Sequence, residues 1–229
     1  MLFPCMDFDR MLFYLQKTLL PLLQEDRHQP IKWRIIMKYI NQLLYENVPY
    51  PTDVKNPDSP MKNGNIKRAG CGLCCLCMVV DRLTTQSLPL EECRDLSVEH
   101  KANLDPGTDL KVLSPVIAKK FGLRYESTDD IQVMIRCLQN GGCAIANVGG
   151  DRDDGKYTGV FSHGGHYITV ISADEKELCI LDPSLKEGKF DEDGRKGKVR
   201  IEGDFVYCDP NVLAKDTDNR SPSYYLFTR

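Results

Sequence analysis

Residues 70–83 read Gly-Cys-Gly-Leu-Cys-Cys-Leu-Cys-Met-Val-Val-Asp-Arg-Leu. This run is apolar on nearly every face of a helix, which predicts a helix surrounded by protein rather than one lying on a surface. Cys71 stands at the start of the run, between two glycines. Unpaired backbone N–H groups and the helix dipole favour negative charge there, and a thiolate is the nucleophilic form of cysteine. The sequence therefore indicates Cys71 as a nucleophile.

The composition around this segment limits the function classes. A chain of 229 residues is long enough for one sizeable domain with an appendage. The net charge of -3, from 30 basic and 33 acidic residues, provides no electrostatic footprint for nucleic acid or an anionic membrane. No apolar run approaches the ~20 residues of a spanning helix, and the first residues lack a secretory signal. We expect a cytoplasmic protein with neither nucleic acid nor membrane as a partner.

The chain has ten cysteines, and several of them lie inside strongly apolar runs. This placement favours reduced core cysteines over a disulfide framework. The cluster of Cys71, Cys74, Cys75 and Cys77 also raises the alternative of a zinc site, but no second pair follows at finger or ribbon spacing. The sequence predicts no metal and no cofactor.

A nucleophilic cysteine needs a base, and the chain offers four histidines. His28 and His100 lie among charged residues, as solvated side chains do. His166 opens the apolar stretch His-Tyr-Ile-Thr-Val directly after two glycines, whereas His163 lies in a glycine-flanked loop. Because a base must be held in register with the sulfur, we favour the strand residue His166 and keep His163 as the alternative.

A hairpin indicates the third member of the site. If the chain reverses near residues 174–176, the pairing centre at 175 places His166 opposite Ser184, with Asp182 one diagonal step away on the same face. A carboxylate there accepts a hydrogen bond from the imidazole and fixes its tautomer. The alternative is that Asp182 and Pro183 only initiate a turn.

The rest of the chain is assigned by periodicity and turn signals. Residues 1–47 predict a helical hairpin, whose second helix runs from Pro30 to Tyr45, and residues 48–229 form the main domain. The loop 149–165 is expected to border a cleft and to be mobile. The alternating charges of residues 186–198 indicate a solvated surface.

Further elements follow from the same signals. Two helices are predicted at residues 109–120 and 128–139, the second with Thr128 as its cap. Strands are predicted at residues 143–148, 167–172, 178–181 and 224–227.

Three short segments follow one another along the chain: Gly70-Cys71-Gly72, Gly165-His166-Tyr167-Ile168-Thr169-Val170 and Leu181-Asp182-Pro183. Together they resemble the bacteriocin-processing, double-glycine-peptidase-like branch of the papain superfamily, over residues 48–184. The resemblance implies an α+β papain-like fold in which a central nucleophile helix packs on an antiparallel sheet. It also implies a cysteine peptidase that cleaves peptide or protein substrates through a thioester acyl-enzyme, with Cys71, His166 and Asp182 as its triad.

One feature departs from the family pattern. Such peptidases place a glutamine upstream of the cysteine to donate to the oxyanion, but residues 51–70 contain no glutamine. Asp53 stands in its place, and an ionised carboxylate cannot donate. Asn65, which precedes Cys71 at the spacing of papain-like enzymes, is the candidate donor. Loss of one donor costs about 100- to 1000-fold in rate.

Other functions remain open on the sequence. Cys71 and Cys74 form a C-x-x-C at a helix start, the arrangement of thiol–disulfide oxidoreductases, although no strand leads into the motif. A Cys-His-Asp site on the same fold also serves acyl transfer, and a binding module with a decayed site is a further alternative. The sequence does not separate hydrolysis from acyl transfer.

Overall fold

The computed structural model describes residues 38–174 and 176–229. Residue contacts divide the chain into Met1–Ile36 and Met37–Arg229, and the second unit is described below. Residues 1–37 of the predicted helical hairpin lie outside the described residues. Its remainder contains the 3-10 helix Gln42–Leu44 in place of the end of an α-helix.

Residues 38–45 depart from the predicted helix because their polar groups bind elsewhere in the domain. The backbone N–H of Gln42 donates to Pro183 O at 2.8 Å. The Asn41 side chain accepts from Leu43 N at 3.0 Å and donates to Leu185 O at 2.8 Å. These bonds join the segment to the turn that follows Asp182.

A seven-stranded antiparallel sheet runs in the order β1-β7-β2-β3-β4-β6-β5. With the helices described below, it makes the fold α+β, as predicted. The strands are β1 Arg124–Thr128, β2 Cys143–Val148, β3 His166–Ala173, β4 Leu178–Leu181, β5 Val199–Glu202, β6 Phe205–Cys208 and β7 Tyr224–Thr228.

The helices pack on both faces of this sheet. They are α1 Ile66–Ala69, α2 Cys71–Leu83, α3 Leu90–Glu99, α4 Leu110–Phe121, α5 Ile131–Gln139 and α6 Pro210–Thr217. Helices α2 to α4 share one buried apolar cluster with Ile145 and Phe227 of the sheet. Helices α5 and α6 share a second cluster with Ala146 and Ile168. Because side chains alternate along a strand, the two clusters lie on opposite faces.

Several predicted elements are confirmed. Helix α2 matches the predicted central helix, and β2 and β4 have the predicted bounds. In the hairpin of β3 and β4, Thr169 pairs with Leu181 and Val170 with Ile180, which is the predicted register. A bulge between Val170 and Ser172 shifts the remaining pairs by one residue.

The predicted cap of α5 is wrong. Thr128 ends β1, where it pairs with Tyr224 of β7. The helix begins at Ile131 instead, and the side chain of Asp130 caps it by accepting from Gln132 N at 2.7 Å. Pairing of β1 with β7 therefore takes precedence over the local capping signal of the threonine.

The residues of the candidate site lie along one edge of the sheet, where several strands begin or end. Strands β1, β2 and β4 end there, at Thr128, Val148 and Leu181, while β3 and β7 begin there, at His166 and Tyr224. Val148 pairs with His166. We call this the His166 edge of the sheet.

Candidate active site

Cys71 is the first residue of α2, and the glycines beside it are required by packing. A Cβ atom on Gly70 would lie 2.6 Å from the carbonyl oxygen of Ile66, and one on Gly72 would lie 2.9 Å from Thr108 Cβ. Real Cβ atoms do not approach other atoms this closely. The glycines therefore allow α2 to begin against neighbouring backbone and side chains, with Cys71 in its first turn.

The thiol of Cys71 differs from those farther along α2. It is partly exposed, whereas Cys74 is buried. Burial acts to raise the pKa of Cys71, but a hydrogen bond to His166, the charge of that ring and the backbone N–H groups of Tyr167 and Gly72 lower it below its ordinary value. Burial raises the pKa of Cys74 well above the usual range. Cys71 is therefore the thiol disposed to ionise.

His166 is 7% exposed and lies between Cys71 and Asp182. Its Nε2 is 2.8 Å from Asp182 Oδ1 and 3.0 Å from Ser184 Oγ, which leaves Nδ1 as the ring nitrogen for Cys71. Burial acts to lower the pKa of His166, but the hydrogen bonds and charges of Asp182 and Cys71 raise it. The ring is thus disposed to hold a proton while Cys71 loses one.

Cys71 and His166 meet at the first residue of β3. Tyr167 packs with the cluster of α2, whereas Ile168 belongs to the cluster of α5 and α6. Strand alternation places His166 with Ile168. The Cys71 sulfur also interacts with the backbone N–H of Tyr167. Cys71 therefore approaches His166 from the α2 side, around the first residue of the strand.

Asp182 is fully buried, and all of its neighbours donate to it. Oδ1 accepts from His166, from Ser184 N at 2.9 Å and from Ser184 Oγ at 3.1 Å. Oδ2 accepts from Lys189 Nζ. Burial alone would raise the pKa of Asp182, but the charge of Lys189 and the hydrogen bond of His166 bring it well below its usual range. The residue is a carboxylate with a fixed geometry.

Lys189 is a site residue that sequence reasoning missed. The prediction that residues 186–198 form a solvated surface is wrong for Lys189 and Arg195, which are 7% and 3% exposed. Lys189 Nζ donates to Asp182 and to Ser184 Oγ at 2.7 Å. Arg195 Nε donates to Gly159 O at 2.8 Å. Burial lowers the pKa of Lys189, and Asp182 opposes that shift.

His163, the alternative base, lies in a different environment. Its side chain is 58% exposed. Nδ1 is 2.9 Å from Asp151 Oδ2, and Nε2 is 2.9 Å from Glu192 Oε2. The structure brings His166 to Cys71 and ties His163 to two surface carboxylates.

The two residues considered for the oxyanion are occupied by local bonds. Asn65 caps α1: its Oδ1 accepts from Arg68 N at 3.1 Å, and its Nδ2 donates to Glu46 O at 2.8 Å. Asp53 accepts from Asn56 Nδ2 at 3.3 Å. The Asn65 amide thus has a structural role at the start of α1.

The loop 149–165 is fastened at its centre rather than free. Asp216 of α6 is fully buried and accepts from Val160 N at 2.7 Å, Phe161 N at 3.0 Å and Tyr157 Oη at 2.8 Å. Val160 and Phe161 are themselves buried. These contacts hold the middle of the loop against α6, and the mobility of the loop stays a prediction.

Residues 38–174 and 176–229 contain neither a metal-binding cluster nor a membrane-spanning helix. This part of the chain contains no group of three or more His, Cys, Asp or Glu side chains placed to hold a metal ion. Its helices are all too short or too polar to cross a membrane.

No family model matches the sequence, and none of the curated proteins matches it. Among solved structures, the chain is similar to a protein from Bacillus anthracis described as a C39-like peptidase. The two are 12% identical, with 84% of this chain and 98% of that chain covered and a TM-score of 0.48. A similarity at this level does not assign the chain to a family.

Proposed function

We propose that this protein is a papain-like cysteine peptidase in which Cys71 is the nucleophile, His166 the base and Asp182 the residue that orients the base. One observation carries the proposal. His166 Nε2 lies 2.8 Å from the buried carboxylate of Asp182, and the ring interacts with Cys71 closely enough to shift the two pKa values in opposite directions, downward for the thiol and upward for the ring. This combination favours a thiolate–imidazolium pair, the reactive form of such a site.

The reaction follows from these groups. The thiolate of Cys71 attacks the carbonyl carbon of a peptide bond and forms a C–S bond. The C–N bond then breaks, and the imidazolium of His166 gives its proton to the leaving amine. Water attacks the resulting thioester while His166 takes a proton from it. The C–S bond breaks, the carboxylic acid product leaves and the thiolate–imidazolium pair is restored.

Stabilisation of the oxyanion is the weak part of the proposed site. Cys71 lies in the first turn of α2, where backbone N–H groups lack helical partners and point outward. Asn65 remains a candidate donor, but one of its amide hydrogens is bound to Glu46 O. If the backbone acts alone, the rate falls by about 100- to 1000-fold relative to a site with two donors. We therefore expect slow peptide hydrolysis.

The competing redox function requires Cys74 to resolve a disulfide with Cys71. Cys74 is completely buried, and its pKa is raised well above the ordinary value by that burial. A thiol in this state is a poor attacking group. Interaction with His166 instead lowers the pKa of Cys71, which favours the hydrolase.

Mass spectrometry on a mixture of peptides tests the proposed function. Wild-type protein should cleave some of the peptides and should give an acyl adduct on Cys71 in rapidly acid-quenched samples, because the proposed reaction passes through a thioester. Cys71→Ser should abolish both signals, and Cys74→Ala should retain them. If a Cys71–Cys74 disulfide forms reversibly and no peptide gives an acyl adduct on Cys71, the redox function would replace the peptidase.

A further inference from the structure

Arg220 lies beside the residue that precedes the proposed base. Its Nη2 is 3.4 Å from Gly149 O. A Cβ atom on Gly165 would lie only 2.9 Å from the same Nη2 and 3.7 Å from the guanidinium carbon. Gly165 directly precedes His166 at the start of β3. The guanidinium therefore packs on the backbone at the His166 edge of the sheet, and the glycine provides the space for it.

The hydrogen-bonding capacity of this guanidinium is largely unused. Within residues 38–174 and 176–229, Arg220 forms no ion pair, and its Nε is buried without a hydrogen-bond partner. A guanidinium offers five N–H donors, and leaving them unpaired in a buried position is costly. The neighbouring carboxylates have other donors. Asp218 binds Arg152 and Lys215, and Asp129 accepts from Ser221 and Ser223.

Arg220 also lines a pocket large enough for part of a peptide. The pocket has a volume of about 520 Å³ and lies between the end of α6 and the start of α5. Tyr224, the first residue of β7, forms part of its wall. It therefore opens at the edge of the sheet that carries His166. Ligand sites typically have volumes of about 300 to 1,000 Å³. The volume of this pocket lies within that range.

The position of Arg220 relative to His166 indicates which part of a substrate it meets. In the proposed reaction the leaving amine receives its proton from His166, so the leaving portion of the peptide departs past this ring. Arg220 lies next to Gly165, on the side of the two-helix cluster of α5 and α6 rather than on the α2 side of Cys71. The pocket thus lies on the face of the sheet to which His166 belongs, opposite the α2 face.

We infer that Arg220 and this pocket bind a carboxylate on the leaving portion of the substrate, an inference that rests on the proposed function. Arginine is suited to this task because its planar fork pairs with both carboxylate oxygens. The carboxylate comes either from the C-terminus of a short peptide or from an acidic side chain. Arg220 is in this reading a specificity-determining residue and takes no part in bond making.

Binding to the unreactive Cys71→Ser variant tests the inference without requiring catalysis. The probes are alanine peptides of three to six residues, each prepared with a free C-terminal carboxylate and with a C-terminal amide. A second pair carries one internal glutamate or glutamine with an amidated end. In at least one matched pair, the peptide with the carboxylate should bind about tenfold more tightly than the neutral peptide, as expected for a hydrogen bond to a charged group. The pair that shows the difference identifies the source of the carboxylate.

Arg220→Met in the same background should remove this preference and leave binding of the neutral peptides unchanged. Arg136→Met, which alters an exposed arginine of α5, is the matched control and should keep the preference. If Arg220→Met fails to fold, Gly165→Ala serves as the second variant, because the added methyl displaces the guanidinium. Circular dichroism confirms folding of each protein.

The outcomes separate the inference from the proposed function. Equal binding of acidic and neutral peptides, or no binding of either, overturns the carboxylate site. A preference that survives Arg220→Met overturns it as well. Conversely, wild-type protein that prefers acidic peptides but neither acylates nor cleaves them contradicts the peptidase and leaves the carboxylate site standing.

Discussion

Replacing Lys189 by methionine tests the electrostatic design of the site. The substitution keeps the length and the apolar stem of the side chain but removes its charge. Lys189 Nζ loses its bonds to Asp182 Oδ2 and to Ser184 Oγ. Asp182 has no exposed surface, so solvent cannot replace the lost donor. One oxygen of a buried carboxylate is left without its cation.

The expected cost follows from the remaining contacts. Breaking a buried ion pair costs roughly 3–5 kcal/mol, because the remaining charge is left uncompensated. Oδ1 keeps His166 and both donors of Ser184, so we expect the lower end, about 3 kcal/mol of unfolding free energy. A domain of this size loses about 2–4 °C of melting temperature per kcal/mol. The melting temperature should thus fall by about 6–12 °C.

The same substitution should change the reactivity of Cys71. The positive charge of Lys189 attracts the thiolate of Cys71 as well as Asp182. Without this charge, the pKa of Cys71 rises. The pH at which alkylation of Cys71 reaches half its maximal rate should therefore move upward in Lys189→Met. A substitution that only loosened packing would lower stability without moving this pH profile.

Urea unfolding followed by circular dichroism, together with a double-mutant cycle, measures the effect. Lys186→Met, an exposed lysine of the same loop, should change stability by no more than about 0.5 kcal/mol. In an Asp182→Asn background, Lys189→Met should cost far less than in wild type, because the charge it compensates is absent. Equal costs in the two backgrounds, or a cost as small as that of Lys186→Met, would refute the reasoning.

Three further predictions concern the same network. Iodoacetamide should label Cys71 below the pH at which an ordinary thiol reacts, since its pKa is lowered, and His166→Ala should shift the labelling profile to higher pH; an unshifted profile would exclude His166 as its partner. Because the folded-state pKa of Asp182 is depressed, its contribution to stability is present above the unfolded value of about 3.9 and is lost as pH falls through the folded value. Asp182→Asn should therefore show a flatter decline of stability than wild type below about pH 4, as measured by urea titrations at several pH values. Asp216→Ala should leave the amides of Val160 and its neighbour unpaired, at a cost of about 1–3 kcal/mol each, and should speed their hydrogen exchange; unchanged exchange would mean that Asp216 does not hold the loop.

The elements closest to Cys71 and His166 could be predicted because their signals are local. The apolar run after Cys71 has no polar face, so it predicted α2 as a buried helix. In the hairpin, the polar turn fixes the centre of pairing, and a single register then brings Asp182 towards His166. The observed pairing of Thr169 with Leu181 has this register.

Other elements escaped prediction because their signals arise from tertiary contacts. Thr128 has the residue type of a helix cap, but pairing of β1 with β7 extends the strand through it. Helix α3 has mixed polarity along its sequence, and only Leu90, Cys93 and Ser97 are buried in it. The 3-10 turn at Gln42 depends on its bond to Pro183 O, on a segment far along the chain. No local pattern contains this information.

Lys189 illustrates why a loop of alternating charges can contribute to a site. In the proposed cycle, His166 is protonated before bond cleavage and neutral after it has given its proton to the leaving amine. With only His166 as a partner, buried Asp182 would lose its compensating cation at that step, and its pKa would rise. Lys189 donates to the other carboxylate oxygen, and this bond does not depend on the proton of His166. Asp182 can therefore remain ionised and hold the ring in one tautomer through both halves of the reaction. Lys189 thus helps to keep the pKa of buried Asp182 low whether or not His166 carries a proton.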